Sequence, residues 1–160
     1  MPRIPPLLLI TCLALAPVAQ AETAAQRPGV ADPDRREIIA MDPAGRDLVL
    51  TEMRLFLEGV QQITAGLATE DIDAAIAAAR RLGLGMAQDV PPAVREQLPM
   101  AFRQLGRATH ADFDQIAMDL ETLGDTQHAL RQLGDTLNKC IACHATWRIE
   151  MVDTGRGLRP

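Results

Sequence analysis

The residues best equipped for chemistry stand near the end of the chain, in the run Cys140-Ile141-Ala142-Cys143-His144. Two thiols three positions apart, followed at once by an imidazole, form the C-x-x-C-H pattern through which haem c is attached. On a helix, positions three and four apart share a face, so both sulfurs can reach the vinyl groups along one porphyrin edge while the imidazole approaches the iron. The same atoms admit other uses. A structural zinc site wants four ligands, and the histidines left beyond the run are His110 and His128. A thioredoxin-like dithiol needs a βαβ setting, and a local disulfide leaves a histidine on the buried stripe unexplained.

Such a run needs a helix beneath it, and Leu130, Leu133, Leu137, Cys140, His144 and Trp147 repeat at alternating spacings of three and four after Asp125, which can cap the first turn. Three further helices are expected before it. Asp42-Pro43 starts helix A, whose stripe is Leu50, Met53, Leu57, Val60 and Leu67. Thr69 can cap helix B, with Ile72, Ile76, Ala79 and Leu82 on one face and Gly83 and Gly85 at its end. Pro91, Pro92 and Pro99 break the entry to helix C, which runs from Phe102 through Phe113 to Leu123 and stops at Gly124. No segment shows strand periodicity. The expected fold is all-α, an up-and-down antiparallel four-helix bundle over 42–150 with its covalent haem c near the C-terminus. Its Ala-rich helix B and four aromatic rings in 160 residues leave room for a large, flat apolar group.

The remainder of the chain bears on where this domain works. Arg3, the apolar run Leu7–Leu15 and Ala19-Gln20-Ala21 read as a signal peptide over 1–21, too short to span a membrane, with Cys12 discarded on cleavage. Residues 22–41 read as a flexible arm and 151–160 as a tail. With 16 basic and 21 acidic side chains, a net charge of −5 gives no footprint for a phosphate backbone, which excludes nucleic acid as a partner.

With these residues in place, the chain resembles the class II c-type cytochromes of the cytochrome c prime group, over most of residues 42 to 150. The most specific part is Cys140-x-x-Cys143-His144-x-x-Trp147-Arg148, because that group commonly places an aromatic and then a basic residue three and four positions after the haem histidine. The resemblance implies one haem held through Cys140 and Cys143, with His144 as proximal ligand, periplasmic maturation, and a distal residue from the first helix. Met53 occupies a position similar to that of the methionine ligand in low-spin members, although a methionine at helical spacing is equally at home in a plain core. Members of the group often dimerise through their first two helices, so a homodimer is admitted.

The expected function is that of a periplasmic monohaem electron carrier, not an enzyme, with redox proteins as partners. The alternative is a five-coordinate, gas-binding (NO or CO) protein, should Met53 not ligate iron. A haem-free interaction module leaves the C-x-x-C-H run unexplained. Arg148 could pair with a haem propionate or stand as a solvated helix-end arginine. His110 is expected to be a boundary histidine bonded to a neighbour, and His128 an exposed first-turn residue without a role. No catalytic constellation is visible.

Overall fold

A computed structural model describes residues 34–152. The expected signal peptide, Cys12, most of the arm and most of the tail lie outside the described residues. The chain is mostly helical. In order it forms β1 (Glu37–Met41), α1 (Pro43–Ala68), α2 (Ile72–Arg81), α3 (Leu84–Gln88), α4 (Pro92–Arg95), α5 (Met100–Leu123), α6 (Thr126–Thr146) and β2 (Trp147–Met151). α1 packs on α2, α2 on α5, and α5 on α6.

Local chemistry accounts for most helix ends. Asp42 accepts a hydrogen bond from the Gly45 amide at 2.7 Å, and Pro43 takes the first helical position, where its missing N–H costs nothing. Gln97 then grips the same cap, donating to Asp42 Oδ2 and accepting from the Asp42 amide, each at 3.0 Å. The connection before α5 is thereby fastened to the start of α1. Gly124 ends α5 in the left-handed conformation at φ 63°, and Asp125 caps α6 by accepting from the His128 amide at 3.0 Å.

Three expectations are corrected. The cap of α2 is Asp71, which accepts from the Ala74 amide, because the hydroxyl of Thr69 turns back to the Ala65 carbonyl and closes α1 instead. The arm is not loose throughout, since its last five residues are β1, paired in parallel with β2 in the register Glu37 to Trp147. Five-residue strands are too short to display a period, and their pairing is non-local. For the same reason α6 stops at Thr146 and Trp147 is extended, so neither Trp147 nor Arg148 lies on the helix.

Two cores result. The first draws on all four longer helices, with Ile63 from α1, Ala75 and Ala79 from α2, Phe113 and Ile116 from α5 and Leu133 from α6. The alanines of α2 leave no gap to be filled. Ala75, Ala78 and Ala79 are fully buried, and the helices close onto them. A Cβ on Gly66 would meet the backbone of Asp71 and Ala75 at 2.9 Å, which only glycine avoids. The second core gathers Ile39 and Met41 of β1, Val49 of α1, and Val94 and Leu98 around α4. Met53, Phe102, Trp147 and Ile149 pack against it, half-buried. Among the described residues no helix is long and apolar enough to cross a membrane.

Candidate functional site

The buried face of α6 runs Ala129, Leu133, Thr136 and continues into the half-buried Cys140 and Cys143, a four-three-four-three spacing. This face is turned by one position from the expected one. Leu130 and Leu137 are 40% and 37% exposed, and His144 lies on the exposed side rather than on the buried stripe. The helix is held at this angle partly by polar contacts with α5. Lys139 pairs with Asp112, and the Thr136 hydroxyl donates to the same carboxylate at 3.3 Å.

Both cysteines are free thiols rather than a disulfide. Burial pushes the proton affinity of each thiol up, and the carboxylate of Asp112 adds to this at Cys140 against the opposing charge of Lys139. At neutral pH they are protonated and therefore sluggish nucleophiles. The carbonyl of His144 accepts a hydrogen bond from Arg36 Nη1 at 3.3 Å, a cation placed at the negative end of the helix dipole. The imidazole itself forms no hydrogen bond with the described residues. Two thiols on one flank and a free imidazole beside them form a donor set that suits covalent attachment to a porphyrin edge with a nitrogen ligand to iron. Among the described residues no group of three or more His, Cys, Asp or Glu is arranged to hold a bare metal ion.

The other residues singled out in the sequence fall in different places. Met53 sits half-buried on α1 against the second core, which also receives Trp147, three positions past His144. The Trp147 ring stands edge-on to Phe102 at 5.6 Å, and its Nε1 donates to Glu37 Oε2 at 3.0 Å. Met53 thus borders the same core as Trp147, while Cys140, Cys143 and His144 lie outside that cluster. Arg148 occupies β2, opposite Ile38, and its guanidinium pairs with Glu150. His128 is bonded to Asp119 at 3.0 Å.

One constellation had no signal in the sequence. His110 is 4% exposed, its Nδ1 donating to the Leu82 carbonyl at 2.7 Å and its Nε2 3.5 Å from Glu52 Oε1 on α1. Burial alone would lower its proton affinity. The Glu52 carboxylate and the Leu82 carbonyl outweigh that effect, and the net shift is upward. His110 is thus a core residue tying α1 and the end of α2 to α5, not a boundary one. Glu52 and His110 also line a cleft of about 460 Å³ beside the second core. Nothing in the periodicity of α5 names a partner on α1.

Comparison with family models, with curated proteins and with solved structures finds no match for this chain. The functional reading therefore rests on the residues themselves.

Proposed function

We propose that the chain is a monohaem c-type cytochrome that carries single electrons in the periplasm, an up-and-down four-helix bundle resembling the cytochrome c prime group. One observation carries the reading: two unpaired, half-buried thiols share one flank at the end of α6, and the next residue after the second, His144, is an exposed imidazole without a hydrogen bond among the described residues. Cys140 and Cys143 would hold the porphyrin edge and His144 the iron, which when bound supplies one-electron ferrous and ferric chemistry. The chain's own contribution is mechanical and dielectric. α6 is pinned to α5 through Lys139, Thr136 and Asp112, so the attachment points keep their spacing when charge changes. Met53 offers a thioether from α1 at the apolar second core, and a methionine ligand raises the potential of an iron site. Redox proteins are the proposed partners, and no enzymatic role is assigned.

Denaturing mass spectrometry of material exported from a host with cytochrome c maturation tests this. The expected mass is that of residues 22–160 plus one haem. A bare chain from such a host would overturn the proposal. The reduced protein should also resist carbon monoxide, and ready binding of that gas would replace electron transfer by the gas-binding reading.

A further inference from the structure

The cleft beside the second core has a lining at odds with the rest of the molecule. The chain as a whole is acidic, at −5, yet three arginines and one carboxylate face this cleft. Its walls are apolar, formed by Leu84, Val90, Leu98 and Phe102, and its volume of about 460 Å³ falls within the range of small-molecule sites.

The arginines are not used up by the fold. Arg95 donates to the Val90 carbonyl at 2.9 Å, which holds its guanidinium at the rim. Arg103 and Arg107 stand four positions apart on α5, on one face, and neither carries a hydrogen bond or ion pair among the described residues. Two like charges at this spacing repel each other, and an anion between them relieves the repulsion while accepting bidentate hydrogen bonds. The helix surface between them is also cut away. Gly106 sits inside α5 and lines the cleft, and a Cβ built there meets nothing within 4 Å. Alanine would fit there and favour the helix, as it would at the equally open Gly134 of α6, so what bears on a ligand is the room left at Gly106 between the two arginines.

We infer that this cleft binds a small organic acid with an apolar body, its carboxylate held between Arg103 and Arg107 and its hydrocarbon part laid over Gly106 against Leu98 and Phe102. Glu52, the one carboxylate of the lining, has His110 opposite it at 3.5 Å and no ion pair with either arginine. The site does not depend on the haem reading, since none of Cys140, Cys143 and His144 lines the cleft.

Calorimetric titration of the exported protein with sodium decanoate tests the inference, with decan-1-ol as the uncharged probe of equal length. Saturable one-site binding is expected, with Kd below about 1 mM, and the alcohol should bind at least about tenfold more weakly. The double variant R103Q/R107Q should weaken decanoate by about tenfold or more, whereas Arg131→Gln on α6, outside the cleft, should leave it unchanged. Gly106→Leu should fill the cleft and abolish binding while the melting temperature holds or rises, a combination that a merely structural role would not produce. Absence of saturable binding, equal affinity for acid and alcohol, or unaltered binding in R103Q/R107Q or in Gly106→Leu would overturn it. Binding confined to a chain in which Cys140 and Cys143 are both Ser would do so too, because the cleft would then belong to the haem site.

Discussion

The two cores differ in how completely they are closed. The first is the more fully closed, with twelve buried residues and five half-buried hydrophobics at its edge, where the second has five and six. Ile63, Ala75, Phe113 and Ile116 have no exposed surface, and they come from three of the four long helices that share this core. The second has a buried floor in Ile39, Met41 and Val49 but a rim of half-buried large groups, Met53, Phe102 and Trp147. Where packing is complete, a side chain has no capacity left for a ligand. Where it stops halfway, a thioether, an indole and an open cleft stay within reach of something added. Met53 and Trp147 border the second core, and Cys140, Cys143 and His144 stand at the end of α6 outside both.

Removing the proposed haem attachment points should have the largest effect. Cys140→Ser with Cys143→Ser should abolish covalent haem entirely, read by haem staining after denaturation, while far-ultraviolet dichroism still shows the helices of the first core. Loss of helix along with haem would mean that the first core does not stand alone. Phe113→Ala should cost about 3–5 kcal/mol in urea unfolding, the range for emptying a sealed site. Trp147→Ala should cost only about 1–2 kcal/mol, since the indole is half-buried and its Glu37 bond is exposed. Equal costs would erase the distinction between the cores.

A smaller effect should come from the joint between them. The proton affinity of His110 is raised in the folded chain, so its protonation favours folding. That stabilisation is complete below the unfolded value of 6.5 and fades as pH rises through the higher folded value. Replacing Glu52 by Gln removes the main cause of the rise. Wild type should therefore exceed Glu52→Gln in melting temperature most at about pH 5.5, with the gap narrowing by about pH 8.5. A constant gap would show that the pair is not ionised. The smallest loss is expected at the start of α1, where Asp42→Ala removes a cap and one Gln97 contact for about 1 kcal/mol in thermal unfolding.

Much of the helical layout is legible because helix signals act over one turn. Asp42-Pro43, Gly124 and Asp125 mark boundaries that the backbone observes, since a cap needs only the amides two and three positions ahead. Even so, local signals compete. Thr69 and Asp71 both qualify as caps for α2, and the choice depends on where the Thr69 hydroxyl finds a carbonyl. The face of α6 shows a subtler failure. Its apolar spacing allows a buried stripe through either Leu130 and Leu137 or Ala129 and Thr136, and a rotation of one position separates them. The contact of Lys139 and Thr136 with Asp112 on α5 favours the second.

By itself, then, the sequence determined the four long helical segments, several of their ends, and the Cys140-x-x-Cys143-His144 run, because each depends on residues within about four positions of one another, while the short helices α3 and α4 between Gly83 and Pro99 went unread. Tertiary structure alone decided the rest. β1 and β2 exist because segments 110 positions apart, from Glu37 to Trp147, complete each other's hydrogen bonds, and that pairing ends α6 one residue before Trp147. Likewise, His110 acquires its partner Glu52, and Met53 comes to share a core with Trp147, only when α1 is packed against the later elements. A side chain's type is written locally, but its burial and its partner depend on which distant surface arrives beside it.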